Sequence, residues 1–162
     1  FLYEDLGWSL VFAGVALTVT QAAGVGGRIL WGFVSDRWLG PIPMLLLITV
    51  LMALGALGCA MLTTTTSLWL LFPILIVFGS TAIGWNGVFL AEVARLAPPG
   101  QASQATGGSL CITFLGIVAG PSFFGILAGL VKSYGLSYGL LTVLAVGILI
   151  PLWRMRPVPE GR

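Results

Sequence analysis

The run Gly24-Val25-Gly26-Gly27-Arg28-Ile29-Leu30-Trp31-Gly32-Phe33-Val34-Ser35-Asp36-Arg37 decides how this chain folds. It is apolar and glycine-rich, carries one charge in its interior, and stops at an acid followed by a base. Upstream it continues a stretch that begins near Trp8, so the apolar segment covers residues 8–34. A helix needs about 20 apolar residues to cross the hydrocarbon core of a bilayer, and this segment has them. Four more segments qualify: residues 42–62, 68–91, 105–131 and 136–153. Transmembrane barrel strands need about ten residues of alternating polarity, which these runs do not show.

Composition points the same way. The 162 residues are 58% hydrophobic and 7% charged, with a mean hydropathy of +1.08. Soluble domains carry about 25% charged residues. Seven bases and five acids cannot cover a water-facing surface. An ordinary soluble domain and a disordered chain are both excluded. A net charge of +2 is too small and too scattered to bind nucleic acid. The expected fold is an all-α integral membrane protein. It has five transmembrane helices in one domain over residues 1–162, with a tail at 154–162.

Histidine is absent, which removes Ser-His and Cys-His nucleophiles and imidazole metal sites. Cys59 and Cys111 lie in apolar stretches and read as buried small hydrophobes. No Walker loop occurs, so ATP-driven transport by this chain is unsupported, and no cofactor is expected. The chain opens on Phe1, without a basic stretch leading into a short apolar core. It therefore reads as a fragment or a trimmed sequence rather than one starting with a signal peptide.

The connections are short, and their bases sort to one side. Arg28, Arg37, Arg95, Arg154, Arg156 and Arg162 fall at one membrane face; only Lys132 falls at the other, with Glu4 and Asp5. Positive residues mark the cytoplasmic side. The loops after the first and third spans and the C-terminus are then cytoplasmic, and the N-terminus is outside.

Gly32 followed by Asp36-Arg37 in a short cytoplasmic loop resembles the loop signature of the major facilitator superfamily, Gly-x-x-x-Asp-Arg/Lys-x-Gly-Arg-Arg/Lys. Here Trp38-Leu39-Gly40-Pro41 follows, so the glycine stands one place late and the basic pair is missing. This suits the degenerate copy in the second six-helix half. The third span ends Glu92-Val93-Ala94-Arg95 and runs into Pro98-Pro99-Gly100, similar to the family's loop between helices ten and eleven. Gly116, Gly120, Pro121 and Gly125 in the fourth span are similar to the Gly-Pro pattern of helices five and eleven. The resemblance implies helices eight to twelve of a twelve-helix transporter, with the first helix of the second half missing. It implies a bacterial inner-membrane setting. The lipid bilayer, the missing N-terminal half and a small-molecule substrate are the implied partners. A non-transporting structural or assembly subunit is the other reading, and full-length sequence would separate the two. An intramembrane enzyme is a distant third.

The resemblance also implies that Asp36 docks on the start of the fourth span, near residues 101–105, and latches the cytoplasmic side. A carboxylate gains there from unpaired N–H groups and the helix dipole. Arg37 or Arg28 would pair with Glu92, and Gly32 and Arg95 belong to the same gate. The alternative is that Asp36 and Arg37 only fix topology.

Arg28 lies eight residues before Asp36, about 12 Å deeper at 1.5 Å per residue. Gly14, Gln21, Arg28 and Ser35 repeat every seven residues and share a face, with Thr18 and Gly32 beside them. For Gln21 and Thr18, a lining of the transport path stands against a hydrogen bond across a packing seam. For Arg28 an ion pair is favoured over substrate binding. Trp85 and Asn86 in the third span are further substrate-path candidates, with interhelical bonding as the alternative. Gly116, Gly120, Gly125 and Gly129 follow a small-xxx-small spacing for close helix packing, and Pro121 should bend or loosen the helix. No acid lies at mid-membrane.

Overall fold

The computed structural model describes residues 2–3, 6–131 and 134–154. Glu4, Asp5, Lys132, Arg156 and Arg162, on which the sidedness partly rests, lie outside the described residues, as does the tail beyond Arg154. The fold is all-helical: α1 (Leu10–Val34), α2 (Pro41–Ala60), α3 (Leu68–Leu96), α4 (Ala102–Val131) and α5 (Tyr134–Arg154). All five are long and apolar enough to cross a membrane.

Local chemistry sets the ends. Ser9 caps α1, its hydroxyl accepting from the Phe12 N–H at 3.2 Å. At its C-terminal end, the backbone ladder widens into a π-helical turn, Ser35–Leu39, closed by the Gly40 N–H donating to the Ser35 carbonyl at 2.8 Å. Gly40 has φ 76°, open to glycine without steric cost. Pro41 then starts α2, where its missing N–H costs nothing. Helix α3 extends to Leu96, beyond the apolar run, because its last turn is held by an ion pair between Glu92 and Arg95. A tight turn follows, with the Gln101 N–H donating to the Pro98 carbonyl at 2.9 Å and Gly100 at φ 80°. Helix α4 therefore begins at Ala102, earlier than hydropathy alone suggests. It continues through Pro121.

Helix α3 is central: it packs on α1, on α2 and more lightly on α4, while α5 packs on α2 and α4. One apolar cluster gathers Ala16, Cys59, Leu62, Leu71 and Leu75. The other gathers Met44, Leu45, Ile48 and Val88, with Trp31, Trp85 and Phe89 against it.

Glycines bring α1 and α3 together. A Cβ on Gly27 would fall on the Ser80 carbonyl oxygen, and one on Gly79 would fall on that of Thr20. A Cβ on Gly84 would lie 2.7 Å from Trp31 Cδ1. Gly55 brings α2 similarly close to Phe78 of α3. The sequence expectation for α4 is corrected here. A Cβ on Gly116, Gly120, Gly125 or Gly129 would meet nothing within 4 Å, so this stripe packs no helix among the described residues. Small-residue spacing makes a face smooth but does not supply the neighbour. Cys111, also on α4, is exposed for the same reason, whereas Cys59 is buried.

Candidate functional site

The α1–α3 seam is where polar groups meet. Trp31 Nε1 donates to the Ser80 carbonyl at 2.8 Å. One turn earlier on α1, Arg28 Nε donates to the Ile83 carbonyl at 3.4 Å, with the rest of its side chain exposed. These two donors pin α1 to consecutive turns of α3. In hydrocarbon a carbonyl that gains a second donor contributes modestly, about 0.6 kcal/mol on average.

Glu92 is buried, and Arg95 holds it with both ends of its guanidinium fork: Nε to Oε2 at 2.7 Å and Nη2 to Oε1 at 2.8 Å. This corrects the expected pairing of Glu92 with Arg28 or Arg37. A partner three residues away on the same helix wins because the helix itself places it, with no interhelical register needed. Asp36 and Arg37 are exposed on the π-helical turn. Neither side chain makes a hydrogen bond or ion pair with another described residue, and residues 101–105 do not hold the Asp36 carboxylate in this conformation. Gly32 is half-buried, and a Cβ there would meet nothing within 4 Å.

A cavity of about 320 Å³ opens along the same seam. Ala16, Leu17, Thr20 and Gln21 of α1 line it, with Phe78, Gly79, Ala82 and Ile83 of α3 and Tyr138 of α5. Its size is at the lower end for a small-molecule site. Gln21 faces it, whereas Thr18 does not line it: the Thr18 hydroxyl donates to the Gly14 carbonyl at 2.9 Å on its own helix.

The paired candidates Trp85 and Asn86 part company. Consecutive helical residues point about 100° apart and cannot share a site face. Trp85 turns into the α2–α3 core, its ring 5.3 Å from Phe89 and packed against the Met44 cluster, so it is corrected to a core residue. Asn86 leaves its Oδ1 buried without a hydrogen-bond partner among the described residues. Interhelical bonding by that atom is thus not formed here.

A sequence model of the Major Facilitator Superfamily matches residues 1–162. The chain belongs to the Major Facilitator Superfamily. It is therefore an integral membrane chain of a family of transporters, not of enzymes. Comparison with curated proteins and with solved structures gives no match. Within this major facilitator chain, sequence reasoning missed Trp31, Thr20, Ile83 and Tyr138 as parts of the seam and cavity. Trp31, the one indole in α1, four residues after Gly27, was the available signal.

Proposed function

We propose that this chain is most of the second half of a twelve-helix secondary transporter, corresponding to helices eight to twelve, which moves a small solute by alternating access. In such carriers two halves rock around a site near the bilayer midplane. The observation that carries the reading is the cavity between α1 and α3, lined by Gln21 about midway along a membrane-spanning helix. The bare glycine face of α4 supports a further helix in the intact protein. The bias of bases supports an N-terminus outside and a C-terminus in the cytoplasm, in a bacterial inner membrane.

In this reading Asp36 and Arg37 belong to a cytoplasmic latch that is open in the present conformation and closes on the start of α4 in another. Such bistable contacts are what switching requires. The test is Asp36→Asn in the intact protein, read by solute uptake and by cysteine cross-linking between the Asp36 loop and residues 101–105. Loss of uptake with altered cross-linking is expected. Unchanged uptake and cross-linking would sink the latch. Cysteine labelling from each side tests the orientation: a label at Lys132 on the same side as one at Arg154 would refute it.

A further inference from the structure

The walls of the cavity between α1 and α3 are apolar, and one polar group on them is free. None of the described residues that line it is charged. Arg28, two turns beyond Gln21 on α1, is not a lining residue. Only Thr20, Gln21 and Tyr138 bring polar side-chain atoms to the lining. The Thr20 hydroxyl donates to the Ala16 carbonyl of its own helix at 2.8 Å, and Tyr138 has partners among the described residues. Gln21 makes no hydrogen bond with another described residue. Its amide offers two N–H donors and a carbonyl acceptor, about midway along a membrane-spanning helix. An amide away from water is unfavourable until something pairs with it.

Aromatic side chains border the same space. The rings of Phe78 and Tyr138 stand edge to face, with centroids 5.9 Å apart. A third ring placed against such a pair gains more than the area it buries. Small residues, Ala13 and Ala16 on α1 and Gly79 and Ala82 on α3, leave room for it. A carboxylate or an ammonium would enter without a counter-charge on this wall, and a buried unpaired ion is costly. A sugar brings several hydroxyls against one amide, and those left over would be desolvated without partners.

We infer that this site selects an uncharged aromatic solute with a single hydrogen-bonding head group: Phe78 and Tyr138 border its ring, and the Gln21 amide pairs with its head. This deepens the transporter reading and rests on it for its meaning as a substrate site, but the binding itself is separable.

Radiolabelled benzamide, dialysed to equilibrium against the purified intact protein in lipid nanodiscs, is the probe, with protein-free nanodiscs subtracted. Benzoate is its charged isostere, toluene lacks the head, benzylammonium is a cation and glucose a polyol. Benzamide should bind saturably, and benzoate, benzylammonium and glucose should compete about tenfold or more weakly. Gln21→Leu should weaken benzamide about tenfold and remove its advantage over toluene. Ala82→Phe puts a ring into the space and should abolish binding. Val25→Phe, at an exposed position outside the cavity, should not.

Three results would overturn the assignment: any of the four competitors matching benzamide, saturable benzamide binding unchanged in both Gln21→Leu and Ala82→Phe, or no saturable binding by the folded protein. The last, together with destabilisation by Ala82→Phe, would mean that a helix of the intact protein fills the space. Ala82→Cys, in a background with Cys59→Ala and Cys111→Ala, separates the two readings. An alternating-access site should react with a membrane-impermeant thiol reagent from either side, and benzamide should protect it. Benzamide binding with reaction from one side alone keeps the site and sinks the transporter reading. Reaction from both sides without benzamide binding does the reverse.

Discussion

Replacing Gly27 with alanine tests whether glycine contacts hold the α1–α3 seam. The new Cβ would overlap the Ser80 carbonyl oxygen and lie 2.9 Å from the Ser80 Cα and 3.0 Å from its carbonyl carbon. All three are backbone atoms of a helix and cannot rotate away. Carbon atoms rest at about 3.5–4.0 Å, so the helices must separate by about 1 Å. That movement stretches the Trp31–Ser80 hydrogen bond from 2.8 Å beyond a useful length. Overpacking costs about 1–3 kcal/mol, and the lost bond adds about 0.6 kcal/mol. Alanine returns about 0.5–1 kcal/mol through its better helix propensity. The net loss is about 1–3 kcal/mol, a roughly 5- to 150-fold shift toward the unfolded state. The assay is an SDS titration of the purified protein in mixed micelles. Gly26→Ala is the control, because a Cβ there meets nothing within 4 Å and only the propensity gain remains. Equal stability of the two variants would refute the argument.

The same titration checks three further changes. Trp31→Phe keeps the ring but removes the donor to Ser80, and should cost about 0.6–1.7 kcal/mol. Arg95→Ala leaves the buried Glu92 without its fork and should cost about 2–3 kcal/mol. Adding Glu92→Gln should recover part of that loss, and no recovery would count against the pair. Asn86→Leu removes an orphaned buried oxygen and should leave stability unchanged or raise it by about 1 kcal/mol; a marked loss would mean that Asn86 has a partner outside the described residues.

Hydropathy made the spans legible because a bilayer imposes one length and one polarity on every helix that crosses it. The ends were less legible. The last turn of α3 is polar and escapes an apolar window, yet Glu92 and Arg95 stabilise it as a helix. Gln21 was readable as a lining residue from its place on a polar stripe. Partners were not readable. The glycine spacing of α4 matched a packing motif, but the close approaches form at Gly27, Gly79 and Gly84. Spacing along one helix says which residues share a face, while the register between two helices depends on both surfaces. The donor from Trp31 to a backbone carbonyl leaves no trace in the side-chain pattern of α3, since every residue offers a carbonyl.

The π-helical turn at Ser35–Leu39 bears on the departure from the family's loop pattern. That pattern allows one residue between the basic position and the glycine; here Trp38 and Leu39 both intervene before Gly40. A turn closed from residue i to i+5 takes up one residue more than an α-turn. The surplus residue is thus stored as a wider coil at the membrane edge. Gly40 and Pro41 still start α2, and the helix above keeps its register against α3. An insertion in this loop need not be transmitted into the bilayer, which lets this membrane edge vary in length while the seam beneath it stays fixed.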